Sequence, residues 1–191
     1  MKHQNVRETL IERTIAVIAN EGLDRTTTKA VVTGTGINEA YIYRQFLDKD
    51  DMLVKTFDSL DEELLGKVLE YLSIMEMTDL PFKERCWLYF SAIWEFLIGH
   101  REKCLAFVQY FYSPYFSRYS AEDHKRRFQV VVEKFGVVFR EEADVWMILN
   151  HILNVMLDFA VKVHNGQMST SDNYTEHVFR VIYVSVEQYF K

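Results

Sequence analysis

Apolar residues near the start of the chain recur at helical spacing. Over residues 5–21, Leu10, Thr14 and Ile18 share one face, flanked by Ile11, Ile15 and Val17, the three-and-four rhythm of a half-buried helix. Gly22 is its stop signal. Lys29 to Thr33 predicts a second, much shorter helix with Val31 and Val32 inside and Thr27 as N-cap. Gly34 and Gly36 end it, because glycine tolerates the left-handed backbone just past a helix end. Ile37 plugs the turn and Asn38 caps a helix over 38–46. That helix buries Ile42 and Phe46, four apart, and exposes Glu39, Tyr41, Arg44 and Gln45. Asp48 caps the next helix, which runs from Lys49 to about Ile74 on Leu53, Phe57, Leu60, Leu64, Val68 and Leu72. At 1.5 Å per residue it is about 39 Å long.

The same rhythm continues after a break at 77–81. It predicts helices over 82–99, 101–112, 121–141, 143–164 and 174–190, with 115–121 as a loop before 121–141. No stretch alternates as a strand would, and only 2 prolines and 7 glycines interrupt the 191 residues. The predicted fold class is all-α.

Residues 26–53 hold the clearest functional signal. Two short helices across a tight glycine turn make a helix-turn-helix, whose second helix can enter a major groove. Lys49, in the first turn of the long helix, faces the positive end of a helix dipole. A phosphate there reverses the sign; otherwise Lys49 is a solvated lysine without a role. On this reading Thr27, Tyr43 and Lys49 hold phosphates, Asn38, Glu39, Tyr41 and Arg44 face bases, and Lys29 completes the DNA-binding set.

The order of these residues resembles the DNA-binding domain of TetR-family transcriptional regulators over roughly the first 55 residues. The matching positions are Thr26 and Thr27, Gly36-Ile37-Asn38, Tyr43-Arg44-Gln45-Phe46, and Asp48 to Leu53, preceded by a helix ending Asn20-Glu21-Gly22-Leu23. Three positions depart from the family pattern. Val31-Val32 replace isoleucine-alanine, Glu39 stands where a basic or polar residue is usual, and Tyr41 where a small one is. The resemblance implies a helix-turn-helix domain over 1–50 and an effector-binding and dimerisation domain over 51–191. It also implies a repressor acting as a homodimer on a pseudo-palindromic double-stranded operator and released by ligand. The alternative is a helical small-molecule sensor or partner-binding protein whose helix-turn-helix no longer reads DNA.

Charge bears on that choice. The chain carries 22 Lys and Arg against 28 Asp and Glu, a formal −6. Residues 1–50 net zero and the acidic excess falls in the rest. DNA-binding domains are usually basic, so a neutral one argues against strong nonspecific affinity and leaves site-specific binding open.

The remaining chemistry is sparse. The six histidines, His3, His100, His124, His151, His164 and His177, form no recognised ligand spacing, so neither metal nor cofactor is expected. His151 reads as a polar lining residue or a core histidine. No serine or cysteine has a nucleophile's context, so the protein is not expected to be an enzyme. Cys104 beside Lys103 is expected to be a buried, inert thiol. Lys125-Arg126-Arg127 beside Glu122 and Asp123 is expected to be a solvated face. Two cysteines suggest a reducing compartment. The start, MKHQNVRETL, has no apolar run, and no membrane-crossing helix is expected. A cytoplasmic protein without a membrane partner follows.

Aromatic density is the last feature. Twelve aromatic residues stand between 85 and 119, six of them between Tyr110 and Tyr119. Core packing accounts for most. With the polar Gln109, Asn150, His151 and Asp158 they also fit a small-molecule pocket, which the resemblance implies. The expected effector is apolar or aromatic, held between the helices 82–99, 101–112, 121–141 and 143–164. Tyr89, Trp94, Phe107, Tyr110, Phe111 and Trp146 are its expected walls, with Asn150 and His151 fixing its orientation. The helices 143–164 and 174–190 are apolar nearly all round, which predicts pairing with their copies in a four-helix interface.

Overall fold

Each helix of the N-terminal region is too short, or too polar on one side, to stand alone. They are held by one shared set of apolar contacts. The computed structural model describes residues 6–191; the first residue of the expected helix 5–21, His3 and the start of the chain lie outside the described residues. The helices are α1 Val6–Glu21, α2 Thr28–Val32, α3 Ile42–Gln45, α4 Lys49–Glu70, α5 Phe82–Gly99, α6 Arg101–Phe111, α7 Ala121–Gly136, α8 Val145–His164 and α9 Asp172–Val186. No named strand occurs among the described residues, and the fold class is all-α as expected. The chain divides into two units, Met1–Glu63 with Glu102–His124, and Leu64–Arg101 with Lys125–Lys191.

In the first unit Leu10, Val17, Val31, Ile42, Phe46 and Met52 form one buried cluster, with Val6, Ile11, Ala30, Val32 and Ile37 packed on it. Val31 is fully buried and Val32 only half so. The turn after α2 needs Gly34 at φ 76° and Gly36 at φ 73°, where a side chain would be strained. Between them Thr35 donates its hydroxyl to the Val32 carbonyl and accepts from the Ile37 amide. Two arginines of α1 close the ends of the short helices. Arg13 donates to the Thr33 carbonyl past α2, and Arg7 donates to the Gln45 carbonyl while lying 5.0 Å over the Phe46 ring. A cation at a helix C-terminus satisfies a free carbonyl and the dipole together.

The same unit takes in α6 and the segment to His124. Phe57 stacks on Tyr110 at 4.6 Å and meets Phe107 and Phe116 at 5.2 and 5.5 Å. Asp61 and His124, both buried, are 2.7 Å apart. The Gln109 side chain accepts from the Leu23 amide, just after Gly22 ends α1. The expected loop at 115–121 is instead a π-helical turn, Phe116–Ser120, that runs straight into α7. Tyr110 and Ser120 bond across it, so the wider turn settles a buried hydroxyl.

In the second unit α5 buries Phe90, Ile93, Trp94 and Leu97, and α9 buries Val178, Phe179, Ile182 and Val186. The pattern predicts α7 to residue 141, but it stops at Gly136. The following residues leave the helix because they pair with the chain end: Arg140 donates its amide to Tyr189, Lys191 to Val138, and Phe139 stacks on Phe190 at 5.3 Å. The last helix likewise starts at Asp172 and ends at Val186, followed by a 3-10 turn Glu187–Tyr189, rather than running to 190. The long helix is α-helical to Glu70 and tightens to a 3-10 coil over Tyr71–Glu76. By length and composition α8 could cross a membrane, with mean hydropathy 1.3, and only 22% of that apolar window is buried.

Phe46 is 3% exposed and sits in the cluster that carries α3. Phe46→Ala should therefore cost about 3–5 kcal/mol of stability in the first unit, read in urea titrations followed by circular dichroism.

Candidate nucleic-acid interface

Capping sets the surface of the helix-turn-helix. Thr27 accepts the Ala30 amide with its hydroxyl, and Asn38 accepts the Ala40 amide, so each opens its helix as the residue type predicts. The segment after Asn38 begins as a 3-10 turn, Glu39–Tyr41, and becomes α-helical only over Ile42–Gln45, where the sequence predicts one helix to 46. Asp48 caps α4 by accepting the Asp51 amide at 2.8 Å. Lys49 is the first residue of α4, at the end where an anion is favoured.

Ile42 and Phe46 face inward, and this turns the rest out. Thr27, Lys29, Asn38, Tyr41, Tyr43 and Arg44 are exposed, while Glu39 and Lys49 are half-buried. Arg44 lies on Tyr41, its guanidinium carbon 4.8 Å from the ring centre, a cation–π contact at the i, i+3 spacing of one helix face. Glu39 is engaged: its carboxylate accepts the Thr28 hydroxyl. Leu47, at the tip between α3 and α4, is 87% exposed.

Several of these features have no local sequence signal. Thr28 and Glu39 stand eleven residues apart, and only the fold brings them together. The Arg7 and Arg13 bonds likewise join residues 38 and 20 positions apart in the chain. Asp50, beside Lys49, receives the Tyr119 hydroxyl at 3.4 Å. The Tyr115 phenol is raised above its ordinary value, by burial first and then by Asp50.

The residues expected to hold an effector fall in both units. In the first, Phe107 and Tyr110 are buried, and Phe111 is 5.5 Å from Phe107. In the second, Trp94 is buried against Phe90, Tyr89 donates to the Val68 carbonyl beside Phe135, and Asn150 donates to the Trp146 carbonyl. His151 is exposed and bonds Ser185 at 3.0 Å. An open groove of about 820 Å³ in the second unit lies along α5 and α9, lined by Trp87, Phe179 and Tyr183 with Lys83 and Arg180 at its edge. Among the described residues no group of three or more His, Cys, Asp or Glu is placed to hold a metal. Of the expected solvated face, Lys125 and Arg126 are exposed and Arg127 is half-buried. Burial pushes the Cys104 thiol up to about 12, which makes it inert at neutral pH.

Residues 10–56 match the family of bacterial regulatory proteins, tetR family. No curated protein matches the chain in sequence. Among solved structures, a TetR family transcription regulator from Marinobacter aquaeolei VT8 is 14% identical with a TM-score of 0.75, covering 96% of this chain and 97% of that one. A TetR-like regulator from Rhodococcus sp. RHA1 is 13% identical with a TM-score of 0.69, over 98% and 99%. The ketosteroid transcriptional regulator KstR2 of Mycobacterium tuberculosis is 22% identical with a TM-score of 0.62, over 100% and 97%. At such identities the likeness is one of fold.

Burial raises the Tyr110 phenol from 10.0 to about 12, with the Ser120 hydrogen bond acting against the shift and nearby carboxylates adding to it. Below about pH 10 the phenol is neutral in folded and unfolded chains alike. Between about 10 and 12 the unfolded chain loses this proton first, so stability falls as pH rises through that window. Tyr110→Phe should soften the fall, measured by denaturant melts at pH 9 and 11.

Proposed function

We propose, from the match of residues 10–56 to the tetR-family model and from the likeness of fold, that the chain is a DNA-binding transcriptional regulator of that family. It acts as a repressor that binds a pseudo-palindromic operator as a homodimer and leaves it when an apolar or aromatic small molecule binds. The observation that carries this reading is the outward set Thr27, Lys29, Asn38, Tyr41, Tyr43 and Arg44 on a buried Ile42–Phe46 face. Residues 1–50 are the DNA-binding part and 51–191 the effector and dimerisation part. Thr27, Tyr43 and Lys49 hold phosphates, while Asn38, Tyr41 and Arg44 meet base edges. Its working compartment is the one that holds DNA, the bacterial cytoplasm.

The effector's class follows from the aromatic lining candidates of each unit and from the acidic charge after residue 50, which disfavours a multiply charged anion. Release is a population shift. A ligand that prefers the non-binding arrangement by about 2 kcal/mol weakens operator binding roughly thirtyfold. Dimerisation is supported by the uncovered apolar faces of α8 and α9, where Met147, Val181 and Val184 are more than half exposed. An apolar face of this kind needs a partner surface.

A second reading, a sensor whose helix-turn-helix no longer reads DNA, draws on the neutral charge of residues 1–50 and on Glu39. A mobility shift on the DNA upstream of the protein's own gene separates the two. A shift competed only by that DNA supports the regulator; none at micromolar protein and low salt leaves the sensor.

Lys49→Ala should weaken every sequence alike and reduce the salt slope by about 1 per site, whereas Arg44→Ala should relax base preference. Unchanged affinity and slope for Lys49→Ala would remove the α4 phosphate contact. Sedimentation should give a dimer at micromolar concentration, and Val181→Glu with Val184→Glu should give a monomer. A monomeric wild type would count against the four-helix interface.

A further inference from the structure

Glu39 is the residue that fits the proposed interface least: an acid at the groove-facing start of the recognition segment. Its surroundings give it another task. Thr28 opens α2 and donates its hydroxyl to the Glu39 carboxylate. Neither end is needed for capping, since Thr27 caps α2 and Asn38 caps the turn that Glu39 begins. Both partners are half-buried, whereas Thr27, Asn38, Tyr41 and Arg44 around them are exposed. The bond crosses the glycine turn. Within the turn Thr35 bonds the Val32 carbonyl and the Ile37 amide, and nothing lies within 4 Å of where a Cβ of Gly34 or Gly36 would stand, so the Thr28–Glu39 bond adds a tie from α2 to the segment beyond. The Thr28 hydroxyl takes one of the two carboxylate oxygens, so Glu39 could meet a cytosine amine only with the other, from the orientation that the Thr28 bond sets.

We infer that Glu39 is a positioning residue: its carboxylate, held by the Thr28 hydroxyl, braces α2 against the recognition segment, and base selection passes to the Tyr41–Arg44 pair. The base-selection half rests on the DNA-binding reading above; the brace itself does not. Arg44 suits the role. Its guanidinium lies 4.8 Å over the Tyr41 ring, so it is pre-ordered before DNA arrives and offers the fork that pairs with guanine.

The test uses the full chain and five variants: Glu39→Gln, Glu39→Ala, Thr28→Val, the double Thr28→Val/Glu39→Ala, and Arg44→Ala. Melting without DNA measures the brace. Thr28→Val and Glu39→Ala should each lower Tm by about 2–4 °C, and the double variant should fall no further than the worse single one, the sign of a shared interaction. Glu39→Gln, whose amide oxygen can still accept from Thr28, should melt near wild type. Additive losses, or a silent Thr28→Val, overturn the brace.

Selection from random duplex DNA, followed by affinity measurement, tests what reads the bases. Glu39→Gln should keep the wild-type preference and bind about threefold more tightly at 0.1 M salt, one anion near the phosphates having been removed. Glu39→Ala and Thr28→Val should lose about tenfold in affinity with preference unchanged, while Arg44→Ala changes preference. A preference altered at one base pair by Glu39→Gln, with Thr28→Val silent, makes Glu39 a base reader and overturns the proposal. A wild type that selects no sequence overturns the regulatory reading and the base-selection half together, and the melts still decide the brace.

Discussion

A four-residue helix cannot hold itself. Nucleation costs more than so few hydrogen bonds return, so the shape of α3, Ile42–Gln45, is imposed from outside. Ile42 and Phe46 anchor it in the cluster around Leu10, Val31 and Met52. Arg7 takes its last carbonyl and covers the Phe46 ring. The Thr28 hydroxyl ties down the Glu39 side chain at the other end. The exposed residues of the recognition segment are thus oriented by groups outside that segment. A substitution in α1 is as able to disturb the outer face as one on that face.

What could be read from the sequence was whatever depends on near neighbours. Caps, glycine stops and the three-and-four rhythm are local, and Thr27, Asn38, Asp48, Gly34 and Gly36 each do what their type predicts. Helix lengths failed where a distant partner intervened. The end of α7 is drawn out of its helix by the chain terminus at Tyr189 and Phe190, fifty residues on. The segment 116–120 becomes a π-turn because Tyr110, in the preceding helix, needs Ser120. Among the interface residues, the exposure of Tyr41 and Arg44 was legible from the Ile42–Phe46 spacing, whereas Glu39 and Gln45, expected outside, are half-buried. Glu39's engagement was not legible, because helical periodicity says which side faces out and nothing about what a polar side chain meets there.

The second unit shows the same limit from the apolar side. The broad hydrophobic pattern of α8 predicts cover on several faces, yet only part of the apolar window is buried within this chain. Composition cannot tell a core helix from one awaiting a partner or a membrane; the charged and polar residues along it can. His151 bonds Ser185 of α9 and Asp158 pairs with Lys162. A charged pair such as Asp158–Lys162 is expensive in hydrocarbon even when partnered, which suits an interface between proteins better.

Electrostatics then constrains how such an interface could read DNA. Arg7 and Arg13 are committed to backbone carbonyls at helix ends, so two of the N-terminal region's cations serve the fold. Among the described residues Arg25, Lys29, Arg44 and Lys49 remain facing outward or at a helix start, against Asp24, Asp48, Asp50 and Asp51 close by in sequence. Counterion release scales with the phosphates neutralised, and so few outward cations give a weak sequence-independent grip per protomer. Useful affinity then has to come from shape, base contacts and two half-sites engaged at once. Two weakly charged protomers held at fixed spacing gain most of their binding from the second contact, which is intramolecular once the first has formed. On the proposed dimer, the neutral N-terminal region and the exposed apolar residues of α8 and α9 are linked: the less each recognition surface binds alone, the more operator binding would depend on an interface joining two of them.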